Sequence, residues 1–227
     1  MRLDGKTIVI TGANGALGKH VVEIALELGA SVKAMDLHFE NTTLENSNQC
    51  QLIPVNLLES DTLQQITSGL GSVDALCNIA GGFAMGTDVH ETPADEFQKM
   101  YDINVNSMLN TCSSIIPTML AQAKGSIINV GAKGALQGAA GMGAYIASKS
   151  AVMRLTECMS EELKHKGIRV NAVLPTMIDT PANRAAMPDE DHSAWVSPDE
   201  LATAMLFLAS DSASGITGSL IPVSGRL

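Results

Sequence analysis

The chain has 227 residues, 45% of them hydrophobic, with 24 acidic against 14 basic side chains and a formal net charge of −10. That composition excludes a disordered chain and predicts one domain, residues 1–227, with a large core. Basic residues so outnumbered cannot track a phosphate backbone, so no nucleic-acid partner is expected.

Thr7–Thr11 predicts a buried strand. Leu17 to Leu28 is apolar at three- and four-residue spacing, which predicts a helix stopped by Gly29. Ser31 to Asp36 and Gln51 to Val55 predict the next two strands, and Ser60 and Asp61 open a helix after them. Val73 to Asn78 predicts a fourth strand. Pro93 suits a helix start, and helical pattern then runs, with a break, to about Ala123. Gly125 to Val130 predicts a fifth strand, and a helix follows from about Gly143 to His165. Gly167 to Leu174 predicts a sixth strand, Pro198 starts a helix ending near Ala209, and Ser219 to Val223 predicts a seventh strand. The stretch from Thr180 to Ser197 is polar, broken by prolines and the loosest of the chain. No apolar run reaches the roughly 18 residues of a membrane span. Met1 to Thr7 leads straight into the first strand without a signal peptide, so the expected location is the cytoplasm.

Strands and helices alternating at this spacing imply an α/β protein with a parallel sheet covered on both faces. In such a sheet ligands bind beyond the carboxyl ends of the strands. The segment Gly12-Ala-Asn-Gly-Ala-Leu-Gly18 lies at that end, between the first strand and first helix. Its glycines permit a tight turn and close approach of a pyrophosphate to the helix N-terminus. The next strand closes on Asp36, a carboxylate able to accept hydrogen bonds from ribose hydroxyls and to repel a 2′-phosphate. Leu37 and His38 add no Lys or Arg, so NAD(H) is expected over NADP(H).

Tyr145 and Lys149 fall one turn apart on a single helix face. A phenol ionises near pH 10, and a neighbouring ammonium is expected to lower that value and equip the pair for proton transfer. Cys50, Cys77, Cys112 and Cys158 match no metal template and are expected to be reduced core thiols. The five histidines are scattered, so no metal site is expected.

Together these motifs make the chain resemble the short-chain dehydrogenase/reductase family over essentially its whole length. The resemblance also rests on Asn78-Ile-Ala-Gly81, Ile103-Asn-Val-Asn106, Val170-Asn-Ala-Val-Leu-Pro175 and Ile216-Thr-Gly218. It implies a seven-stranded Rossmann fold and hydride transfer with Tyr145, Lys149 and Asn104 as the catalytic set, Asn104 holding a relay water. It implies cofactor contacts from Gly12, Asn14, Gly15, Ala16, Leu17, Gly18, Asp36, Asn56, Leu57, Asn78, Ala80, Gly81, Tyr145, Lys149, Pro175, Ile178 and Thr180. Three positions depart from the family pattern: Ala16 replaces a glycine, Asn56 an aspartate, and Ala132 the catalytic serine.

One branch, the quinonoid dihydropteridine reductases, also lacks that serine. It is similar at Gly15-Ala-Leu-Gly18, Gly131-Ala-Lys-Gly-Ala-Leu136, and from Asp179-Thr-Pro through Asn183-Arg184 to Trp195. It differs in carrying tryptophan at the position of Phe83 and in lacking the asparagines at 78 and 104. Phe83, Met85, Ala132, Gln137, Met142, Met177, Arg184 and Trp195 are the expected substrate-pocket residues, with Phe83 or Trp195 stacking on a flat ring. Arg184 is expected to pair with a substrate anion, or with Asp189 or Glu190. The alternatives are a carbonyl or 3-oxoacyl thioester reductase, and a non-catalytic NAD(H)-sensing regulator. Two long helices, about Asn106 to Ala123 and Gly143 to His165, resemble those through which the family forms homodimers and homotetramers.

Overall fold

Thr7-Ile-Val-Ile-Thr11 sends alternate side chains to opposite sides, and both sides are buried. Ile8 and Ile10 join one apolar cluster and Val9 another. The computed structural model, which describes residues 1–227, shows why. Seven strands form one sheet: β1 (Thr7–Thr11), β2 (Ser31–Asp36), β3 (Cys50–Pro54), β4 (Ala75–Asn78), β5 (Gly125–Val130), β6 (Ile168–Pro175) and β7 (Leu220–Val223). Their spatial order is β3-β2-β1-β4-β5-β6-β7, and every neighbouring pair is parallel.

The first cluster is closed by α1 (Ala16–Glu27) through Leu17, Val21, Val22 and Ala25. A C-terminal helix, Pro198–Ala209, covers the same face. Its start is fixed by a capping box between Ser197 and Glu200, with Pro198 in its first turn. The opposite face is covered by α2 (Ser60–Ser68) and by two later helices, Ser107–Gln122 and Gly143–Leu163. No helix is long and apolar enough to cross a membrane.

The break expected between Pro93 and Ala123 has a definite form. Helix α3 (Ala94–Tyr101) passes through a π-helical turn, Asp102–Asn106, into α4 (Ser107–Gln122). Such turns shift the phase of a helix and gather at functional sites. Helix α5 (Gly143–Leu163) follows β5.

The stretch after β6 is more ordered than its composition suggests. Thr180 Oγ1 accepts from Asn183 N–H at 3.2 Å, and Pro181 occupies the first turn, so a short α6 (Pro181–Ala186) forms before α7 (Pro198–Ala209). One thiol also differs from expectation: Cys158 is exposed, while the other three are buried.

The strand order reverses between β1 and β4. Loops leaving two such strands part from each other and open a crevice at the carboxyl edge.

Candidate active site

At that edge lies one cleft of about 2240 Å³. Its nucleotide half begins where β1 ends. Gly12 has φ +65°, and a Cβ there would lie 2.8 Å from the backbone nitrogen of Ala80. A Cβ on Gly18 would lie 2.0 Å from the carbonyl oxygen of Gly12. Only glycine lets the turn fold back on α1 and press against the loop after β4. Thr11 Oγ1 fastens that loop by accepting from Ile79 N–H at 3.1 Å and Ala80 N–H at 3.3 Å. The first turn of α1 has no side-chain cap and no acidic residue, so its N–H groups are available to an anion.

Asp36 closes β2 on the wall of this half. Its Oδ2 accepts from Asn14 N–H at 2.8 Å and its Oδ1 from Leu37 N–H at 2.7 Å, so the carboxylate is held rigidly. Asn14 donates its amide N–H groups to His38 and Glu40 carbonyls, leaving Oδ1 buried without a partner. The glycine cradle, the free helix end, the fixed carboxylate and an acceptor awaiting a donor all fit a dinucleotide bearing ribose hydroxyls.

The reacting half is built by α5. Lys149 is 6% exposed, and its ammonium donates to the Val130 carbonyl at 2.8 Å. Burial lowers its pKa from 10.5 to about 8. Burial also pushes the Tyr145 phenol above its ordinary value. The expected lowering of the phenol by the ammonium is therefore not what this arrangement gives. Lys149 is turned toward Val130, and desolvation governs both groups. Phe83 stands edge-on to Tyr145, with centroids 4.9 Å apart and planes at 75°. Phe83 is 56% exposed, so a ring face remains open to the cleft. Ala132 is buried in a small apolar cluster against which Tyr145 packs, and it presents a methyl group in place of a hydroxyl.

Asn104 sits in the π-helical turn, 2% exposed. Its Oδ1 accepts from Gly82 N–H at 2.9 Å, and its Nδ2 donates to Gly82 O at 3.1 Å and Ser148 Oγ at 3.0 Å. Ser148 Oγ–H in turn donates to the Tyr145 carbonyl at 2.7 Å. The Asn104 side chain thus braces the loop before Phe83 against the helix carrying Tyr145 and Lys149, and does not itself line the cleft.

Most residues expected at the site meet there. Gly12, Asn14, Gly15, Ala16, Leu17, Gly18, Asp36, Asn56, Leu57, Ala80, Gly81, Pro175 and Ile178 line the cleft with Tyr145 and Lys149. Phe83, Met85, Ala132, Gln137, Met142 and Met177 do so as well. Four others besides Asn104 do not. Asn78 faces inward between strands and donates to Asn129 Oδ1 at 2.9 Å. Thr180 spends its hydroxyl capping α6. Arg184 forms a two-pronged pair with Asp179, with Nη2 to Oδ2 at 2.7 Å, rather than pairing with Asp189 or Glu190. Trp195 is 5% exposed and packs at a tilt against His192, centroids 4.4 Å apart, in a separate recess. Thr11, Lys133 and Ser148 contribute to the site without being evident from the sequence. Serine and threonine in a strand or helix carry no sequence signal for such bracing, whereas Lys133 beside Ala132 was visible as a charge next to an expected pocket residue.

Residues 6–191 match the short chain dehydrogenase family. A 3-oxoacyl-[acyl-carrier-protein] reductase of Thermotoga maritima is 30% identical, over 100% of this chain and 99% of its own length. The short chain dehydrogenase ple7 of Rhodocybe pseudopiperita is 32% identical, over 97% of each chain. Among solved structures, the carveol dehydrogenase of Mycobacterium avium in complex with NAD aligns with a TM-score of 0.85 at 27% identity, covering 99% of this chain and 98% of that one.

Proposed function

The chain belongs to the short-chain dehydrogenase family and is an NAD(P)-dependent oxidoreductase, and from that premise we propose that it reduces a small carbonyl or imine-like compound with NADH. The observation that carries the cofactor choice is Asp36. Its carboxylate is fixed at the end of β2 by two backbone N–H groups, and the residues after it, Leu37 and His38, bring no lysine or arginine. A ribose 2′-hydroxyl has an acceptor there, and a 2′-phosphate meets a negative charge.

The nicotinamide, when bound, supplies the hydride. The chain's own residues do the rest. The α1 N-terminus and glycine turn would hold the pyrophosphate. Tyr145 donates its phenolic proton to the oxygen or nitrogen that gains negative character. Because burial raises its pKa, Tyr145 keeps that proton at neutral pH, as a donor must. Lys149, brought to about 8 and held on the Val130 carbonyl, would place a positive charge in the reacting half of the cleft. Asn104 and Ser148 fix the backbone on either side of the pair.

A narrower reading, reduction of a quinonoid dihydropterin, is favoured by Ala132 together with Phe83. A conjugated imine-like acceptor needs no hydroxyl at position 132, and the open face of Phe83 offers a platform for a flat ring. Reduction of an oxoacyl thioester is the competing reading, supported by the activity named for the Thermotoga relative. NADH oxidation with freshly made quinonoid dihydropterin, and with an oxoacyl thioester, separates the two. Ala132→Ser raises the rate only on a substrate that develops an oxyanion. Tight NADPH binding without NADH binding overturns the cofactor reading, and full turnover by Tyr145→Phe overturns the proton donor. NADH binding with no turnover on any carbonyl or pterin would instead mark a sensing protein. Assembly as a homodimer or homotetramer through α4 and α5 belongs to the same proposal.

A further inference from the structure

Lys133 follows Ala132 directly, on the short turn Lys133–Leu136 after β5, and lines the cleft. Its half-buried side chain reaches past the end of β7, where Nζ donates to Ser224 Oγ at 3.0 Å. That is its one hydrogen bond, and it takes part in none of the ion pairs of the chain. An ammonium carries three N–H donors, so the remaining two have no protein acceptor. The contrast with Lys149 is direct, since that ammonium is nearly enclosed and rests on the Val130 carbonyl.

Ser224 is itself held in place. Its carbonyl accepts from Thr176 Oγ1 at 3.1 Å, and the Val223 carbonyl accepts from Thr176 N–H at 3.2 Å. While its hydroxyl oxygen accepts from Lys133, its O–H remains free to donate. The two residues therefore present charged and neutral donors side by side.

Their place in the sheet says what would meet them. Phe83 follows β4, and Ser224 follows β7, with β5 and β6 between. Three strand spacings separate the two ends by about 14 Å. Ala132, Met177 and Tyr145 lie on the intervening wall of the cleft. Asp36 closes β2, on the far side of the reversal at β1 and β4, so the pair stands away from the ribose end.

We propose that Lys133, its ammonium steadied by Ser224 Oγ, recognises an anion in the substrate pocket, and that the substrate carries a carboxylate at the end remote from its reducible carbon. This rests on the oxidoreductase reading above and names its substrate class: an apolar carbonyl or imine-like compound with a distal carboxylate.

The test uses the NADH-loaded protein and two matched probe pairs. Benzoate and benzamide, titrated by calorimetry, report binding without turnover. 4-Formylbenzoate and its methyl ester report turnover of one aldehyde with and without the charge. The expected result is benzoate binding at least about tenfold tighter than benzamide, with the same preference appearing in KM for the aldehydes. Lys133→Gln collapses the preference to about twofold, Lys133→Arg retains it, and NADH affinity holds in both. No preference for benzoate in the wild type overturns the proposal. So does an equal loss of benzoate and benzamide binding in Lys133→Gln. A selective fall in NADH affinity in that variant assigns the cation to the cofactor and overturns it too. Failure of the wild type to bind NADH, or to turn over either aldehyde while still preferring benzoate, counts against the oxidoreductase reading and leaves the anion site standing.

Discussion

Lys149→Met separates what the buried ammonium costs the fold from what it does in the site. Burial lowers this lysine from 10.5 to about 8. That gap corresponds to roughly 3 kcal/mol disfavouring the charged side chain in the folded state. At pH 7 both folded and unfolded chains carry the proton, so the whole penalty is present. Between about pH 8 and 10.5 the unfolded chain still binds a proton that the folded chain has shed, so stability rises with pH across that window. Methionine keeps an unbranched apolar stem and removes the charge. It also strips the hydrogen bond to the Val130 carbonyl, which costs about 1–2 kcal/mol. The variant is therefore expected to be about 1–2 kcal/mol more stable than wild type at pH 7, and less stable near pH 10. Urea unfolding of the NADH-free protein at both pH values measures this. Burial raises the Tyr145 phenol, so its own contribution falls only above its ordinary pKa, and it is common to both proteins. A variant less stable than wild type at pH 7, or a difference that stays constant from pH 7 to 10, refutes the reasoning. The same variant should lose about 100-fold or more in turnover if the ammonium takes part in the proposed proton transfer.

Asp36→Ala removes a fixed carboxylate from the ribose end, so NADH should bind about tenfold more weakly and NADPH more tightly than to wild type; fluorescence titration in which the NADPH affinity stays flat would contradict the role of Asp36. Gly18→Ala places a methyl 2.0 Å from the Gly12 carbonyl, so the turn must open. NADH binding should be lost and the melting temperature should drop by several degrees, and a variant with wild-type affinity would show that the cradle is not the binding element. Asn104→Ala leaves Gly82 N–H and its carbonyl without their buried partner. It should cost about 2–4 kcal/mol in urea unfolding, and a loss below 1 kcal/mol would mean that the π-helical turn does not depend on this brace.

The strands and the nucleotide turn were legible because their physics is local. Alternate residues of Thr7–Thr11 had to be buried on both faces, and only an acidic residue ending the next strand completes a ribose site. The helix spacing of Tyr145 and Lys149 was equally local, but their electrostatics were not. Whether the ammonium faces the phenol depends on what else the ammonium reaches, and here the Val130 carbonyl, at the end of a strand 19 positions back, takes it. Arg184 failed as a pocket residue for a similar reason: the cap that starts α6 brings Asp179 alongside it, whereas the sequence showed only nearby acids. Trp195 is diverted by His192, a pairing that no periodicity marks. On the proposed reading, with the phenol raised by burial, Ala132 giving no hydroxyl and the ammonium held off at Val130, the pocket would offer its substrate a proton in an apolar setting and little fixed charge. Such a site favours an acceptor that is protonated as it is reduced, and it leaves recognition to groups farther out in the cleft, where Phe83 and Lys133 stand.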